Sequence, residues 1–137
     1  MSRRAVDVAQ RWIEAYNTRA FDRLLELTAP DIEFRSHFAG IESGGVFRGY
    51  PGVAEYFKAI DDAYERFHVV PDEFVDGGAA VVVVAHADWR GRGSGAEART
   101  PIFPVIWLRS SRVLRVETFV DRATALDAAG IEAGDQT

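Results

Sequence analysis

The most constraining feature of the chain lies in its second half. Four strand-like segments, residues 68–76, 79–90, 97–109 and 112–121, are separated only by Gly77-Gly78, by "GRGSG" and by Ser110-Ser111. Connections this short join antiparallel neighbours, because a parallel return needs a crossover of a dozen residues or more. "GRGSG" permits a longer, looser connection but is still far short of a crossover. The second half is therefore committed to one antiparallel sheet.

The first half carries helical spacing. Val6, Ala9, Ile13 and Tyr16 recur at steps of three and four and define a first helix that Asn17 and Thr18 end. Phe21, Leu24, Leu25 and Thr28 mark a short second helix, closed by Ala29-Pro30-Asp31. "DIEFRSHF" alternates as a strand does, with Ile32, Phe34 and Ser36 on one face and Glu33 and Arg35 on the other. "GIESGGVFRG" fits either a short hairpin turning at Gly44-Gly45 or a loop over a cavity mouth. Helical spacing then resumes with Pro51 in a first turn and a stripe of Val53, Phe57, Ile60, Tyr64 and Phe67. Arg122 to Gly130 reads as a short closing helix. Helices segregated from strands make an α+β chain, expected to be one domain over residues 1–137 with an ordered core of about residues 4–130. A sheet with three helices along one side must curve over them, and a pocket remains where they do not fill the concavity.

Composition narrows the partners. A net charge of −5 argues against nucleic acid, which selects a basic face. Without cysteine there is no disulfide, thiolate metal site or cysteine nucleophile. His37, His68 and His86 are too scattered to suggest zinc, and no metal or cofactor is expected. The opening "MSRRAVDVAQRW" is interrupted by polar residues and reads as neither a signal peptide nor a membrane span, so a cytoplasmic location is expected.

Strand parity sorts the faces. On the last strand Leu114, Val116, Thr118 and Val120 form the apolar set, which places Thr118 inside and Glu117 outside. The preceding strand, "RTPIFPVIWLR", is apolar on both faces, so its second face needs a cover. Phe103, Val105 and Trp107, with Phe119 beside them, point to an outer face buried in a homodimer, set against the simpler reading of scattered surface apolar residues. Val81 to Val84 read as a strand buried on both sides.

Three phrases, "AYNTRAFDRLLELTAPDIEF", "FRGYPGVAEYFKAI" and "RVLRVETFVDRATALDAAG", together with the order of elements, resemble the SnoaL-like family of the NTF2-like superfamily over nearly the whole chain. The resemblance implies a cone: a curved, mostly antiparallel sheet wrapped around three helices of the N-terminal half, with a short C-terminal helix and a ligand pocket. The superfamily includes polyketide cyclases, dehydratases, steroid isomerases, epoxide hydrolases and non-catalytic binders, so the fold does not choose a reaction. Members similar to limonene epoxide hydrolase carry an Arg-x-Asp pair on the long middle strand. Here His86-Ala87-Asp88 takes that place, with histidine for arginine. Their second aspartate falls on Thr118, and their tyrosine and asparagine fall on Phe34 and Ser36. These departures count against that hydrolysis. Steroid isomerases place a tyrosine on the first helix facing the cavity, which Tyr16 resembles. Scytalone-dehydratase-like members use histidines, an aspartate and tyrosines, a vocabulary this chain shares.

The candidate chemistry is a coupled pair in which Asp88 assists His86 as general acid/base, with Tyr16 donating to a carbonyl or hydroxyl. Two residues apart on a strand, His86 and Asp88 share one face, roughly 6–7 Å apart. The competing reading turns the strand outward past Ala85 and leaves both solvated. For Tyr16 the alternative is a bond to a backbone group. A lining of Ile13, Phe34, Ser36, Phe57, Ile60, Tyr64, Ile102, Val116, Thr118 and Val120 would suit a hydrophobic polyketide-, terpenoid- or steroid-like molecule, unless these side chains fill the core. The leading expectation is a cofactor-free lyase, isomerase or cyclase. The alternatives are a non-catalytic hydrophobic-ligand or dimerisation domain, and a protein–protein adaptor using the outer sheet.

Overall fold

The computed structural model describes residues 3–36 and 45–131. Helices α1 (Arg3–Thr18), α2 (Phe21–Glu26) and α3 (Gly49–Ala63) belong to the first half, and α4 (Arg122–Ala128) closes the chain. The strands are β1 (Thr28–Arg35), β2 (Val46–Arg48), β3 (Tyr64–Asp76), β4 (Ala80–Gly91), β5 (Glu97–Arg109) and β6 (Arg112–Phe119). They form one curved sheet in the order β2-β1-β6-β5-β4-β3, antiparallel at every pairing except β1 with β6. The expected α+β class and mostly antiparallel sheet are observed. His37 and Gly44 lie outside the described residues.

Two helix faces supply the filling of the concave side. Ala9, Trp12, Ile13 and Tyr16 on α1, and Val53, Tyr56, Phe57 and Ile60 on α3, are all buried. Both sets follow the spacing i, i+3, i+4, i+7 of a helix presenting one stripe to a core. Gly49 and Gly52 fit α3 to the neighbouring chain. Gly49 has φ +68°, and a Cβ on Gly52 would come within 2.8 Å of the Phe47 carbonyl carbon in β2. Asp121 caps α4, accepting from the Thr124 backbone N–H at 2.8 Å.

Side chains also stitch helices to strands. The Asn17 amide donates to the Val69 carbonyl at 2.8 Å and accepts from the Val69 N–H at 2.9 Å, docking the end of α1 onto β3. Asn17→Ala leaves both backbone groups partly buried without a partner. We expect it to destabilise the fold by about 2–3 kcal/mol, read as a shift of the urea midpoint at unchanged slope. A second stitch is buried: Trp12 Nε1 donates to Thr28 Oγ1 at 2.9 Å, and Thr28 Oγ1 donates to the Leu24 carbonyl at 2.6 Å.

Several boundaries and faces differ from the expectation. Thr28 begins β1 rather than ending α2, because its hydroxyl is tied to Trp12. Tyr64 and Phe67 belong to β3, not to the helix. Their rings pack 5.0 Å apart, with Trp89 of β4 set edge-on to Tyr64. A register shift between Trp107 and Leu108 brings Val113 rather than Leu114 into the core. Val120 lies beyond the end of β6 and is 72% exposed. Val105 is fully buried within the chain, in a second apolar cluster where Ala125 and Leu126 of α4 cover Ala80 and Val82. α4 therefore supplies part of the cover that the outer face of β5 required.

Candidate ligand cavity

β1, β5 and β6 direct alternate side chains at α1 and α3, and one cavity remains between them. It is lined by Trp12, Ile13 and Tyr16 from α1, Tyr56 from α3, Phe34 and Ser36 from the β1 region, and inward residues of β3, β5 and β6. Its free volume is about 30 Å³, room for one or two water molecules. Rings restrict it: Phe34 stacks on Tyr56 with centroids 4.1 Å apart, and Trp12 lies 5.7 Å from Phe34.

The polar groups on this lining are few. The hydroxyls of Tyr16 and Tyr56 form a hydrogen bond to each other, fully buried among aromatic rings. Burial raises the pKa of both phenols well above the ordinary value of 10.0; the Arg19 charge opposes the shift without cancelling it. Arg19 itself lies against the Tyr16 and Phe57 rings, 5.3 and 4.9 Å from their centroids, and pairs with Asp61 at 2.8 Å. Ser36 and Thr118 contribute the remaining hydroxyls, one residue beyond the registered pair Arg35 and Glu117.

Of the residues singled out in the sequence, Ile13, Tyr16, Phe34, Ser36, Ile102, Val116 and Thr118 line the cavity. Phe57 and Ile60 are buried in the core beside it without lining it, Tyr64 packs against Trp89, and Val120 is outside. His86 and Asp88 are not in the cavity. Ala85 pairs with Ile102, a lining residue, so Ala85 and Ala87 point inward and the residues between and after them point outward. His86 Nδ1 lies 3.3 Å from Asp72, and Asp88 accepts from Arg66 at 3.3 Å, both on the outer face. The placement on the pocket face is thereby corrected. The strand does not bend outward past Ala85; both side chains were on its outer face throughout. His68 is exposed.

Trp12, Tyr56, Phe67, Val69, Pro104 and Ile106 also line the cavity, in addition to the residues expected from the sequence. For Trp12 and Tyr56 a signal existed, since each completes the i, i+3, i+4, i+7 stripe of its helix. Among the described residues, no three His, Asp or Glu side chains converge as metal ligands would.

A curved sheet closed over helices around a small apolar cavity is a fold shared with solved NTF2-like structures. Within that class, the SnoaL-like domain model matches residues 9–130, and the chain belongs to the SnoaL-like domain family. No curated protein matches the chain significantly. Among solved structures, an NTF2-like protein of unknown function from Burkholderia pseudomallei superimposes with a TM-score of 0.77 at 20% identity, covering 90% of this chain and 95% of its own. TerC, co-crystallised with polyporic acid, gives a TM-score of 0.76 at 18% identity, covering 93% and 98%. A candidate SnoaL-like polyketide cyclase from Shewanella denitrificans gives 0.71 at 14% identity, covering 90% and 94%. At these identities the likeness establishes the fold alone.

Proposed function

We propose that the cone takes up a small hydrophobic molecule carrying a carbonyl or hydroxyl oxygen, and that the Tyr16–Tyr56 pair donates a hydrogen bond to that oxygen. The buried hydroxyl pair in an apolar lining is the observation that carries this reading. One phenol proton is used within the pair, and the other remains to be donated. With their ionisation suppressed by burial, these phenols act as donors near neutral pH and not as bases. A donor held in a low-dielectric site strengthens as negative charge develops on its acceptor. Any isomerisation, cyclisation or elimination would therefore be promoted by polarising the substrate oxygen. His86 and Asp88, on the outer face of β4, have no part in this reading as general acid and base. The polyporic acid bound by one structural neighbour and the cyclase assignment of another support an oxygenated, hydrophobic ligand class. For a ring larger than the present free volume to enter, Trp12, Phe34 and Tyr56 would have to part.

Phenol and toluene, nearly matched in size, separate the oxygen contact from the apolar one. Titrations followed by the Trp12 indole N–H resonance should show phenol binding more tightly. Tyr16→Phe and Tyr56→Phe should each reduce that preference by up to about tenfold, while His86→Ala leaves it unchanged. Equal affinity for phenol and toluene in the unmutated protein would sink this reading.

A further inference from the structure

The cavity comes within one side chain of the surface along the seam between α1 and β3. A groove follows this seam, with Gln10, Glu14 and Asn17 on its helix bank and Pro71 and Phe74 on its strand bank. Ile13, itself buried, lines this groove and the cavity alike, and it is the one described residue common to both linings. Beside it on the cavity side stands Val69.

What holds this wall differs from what holds the others. On the sheet side β3, β4, β5, β6 and β1 are joined by backbone ladders, so a path there would break several hydrogen bonds at once. Between α1 and α3 the packed rings of Tyr16, Tyr56 and Phe57 close the way. β3 is an edge strand, and α1 meets it through side chains alone. Among the described residues, the two bonds between Asn17 and Val69 are the only hydrogen bonds that span the seam. Near Ile13 the strand is also loosely held. Pro71 has no N–H to offer, and the register shift between Pro71 and Glu73 interrupts the ladder to β4.

We propose that small apolar molecules reach the cavity through this seam, with Ile13 as the door and the Asn17–Val69 pair as its latch. The inference rests on the reading of the cavity as a ligand site. It does not rest on the hydrogen bond from the tyrosine pair, because the same passage serves toluene and phenol. Opening takes a rotation of the Ile13 side chain and an outward shift of β3 about Pro71. The Asn17 amide and the Val69 backbone groups then turn to the water of the groove. In such a gate the rates of entry and exit both follow the fraction of time the passage stands open, whereas affinity follows the closed lining.

Three variants test the route, with phenol and toluene as probes and relaxation dispersion of the Trp12 indole N–H as the readout of both rates. Asn17→Ala removes the latch without altering the cavity lining. It should raise association and dissociation rates together by roughly tenfold or more, at unchanged Kd. Ile13→Ala removes the door and should also raise the association rate. Ile102→Ala shortens a lining residue on the sheet side, away from the seam, and should leave the association rate unchanged. Circular dichroism melts confirm that each variant is folded at the temperature used. Association rates that do not respond to Asn17→Ala and Ile13→Ala, or that respond equally to Ile102→Ala, would overturn the route. With phenol still preferred over toluene, such a result would leave the proposed tyrosine contact standing. Failure of both probes to bind would overturn route and contact together.

Discussion

Raising the pH from 10 to 11 is expected to lower the stability of the fold by about 2 kcal/mol, with a slope approaching about 2.7 kcal/mol per pH unit beyond. The cause is the buried pair Tyr16 and Tyr56. In the unfolded chain each phenol ionises near 10.0, whereas in the fold burial holds both protonated to far higher pH. A folded pKa raised above the unfolded one gives stability that is fully present below pH 10. It is lost as the pH climbs from there towards the folded value, because only the unfolded chain releases its protons. Tyr64, partly buried and shifted in the same direction, adds to the trend. Urea unfolding at pH 8, 10 and 11 measures the loss. Tyr16→Phe removes one of the two groups and should reduce the slope by about half. A stability profile flat between pH 9 and 11 would show that the two phenols are not held as described.

The second large effect concerns Phe34. Phe34→Ala deletes the ring stacked on Tyr56 and packed against Trp12. We expect a loss of about 3–4 kcal/mol, combining lost burial with the void left behind. The same change enlarges the cavity beside the tyrosine hydroxyls, so toluene and phenol should bind the variant more tightly than the unmutated protein. Saturating ligand should return part of the lost stability, because it binds the folded state alone. A loss below about 1 kcal/mol would mean that the site collapses around the deletion, and tightened binding should then be absent as well.

How far the fold and the cavity could be read from the residues depended on alternation. β6 alternates clearly through Val116, Glu117 and Thr118, and the inward position of Thr118 follows directly from it. In β4 the four valines erase the alternation, since Val82 is buried under α4 while Val81 and Val83 face the helices. With no polar residue in that run to set its phase, parity could not be carried forward to His86 and Asp88. The cover responsible, α4, lies some 40 residues later in the chain, a long-range contact that no local pattern reports. The bulge at Trp107 and Leu108 is of the same kind. It inverts the parity of Leu114 through hydrogen bonding between strands, which spacing within one strand does not encode. Trp12 and Tyr56 differ from these cases, because complete helical stripes marked them.

The two hydrogen bonds between Asn17 and Val69 bear on how copies of this chain can meet in concentrated solution. β3 is an edge of the sheet and 13 residues long, the kind of edge that recruits strands into aggregates. Asn17 occupies both backbone groups of Val69, and two residues on, Pro71 has no N–H to offer. The register shift between Pro71 and Glu73 then breaks the ladder. The middle of the edge is thus unable to template a foreign strand, which guards the chain against open-ended stacking.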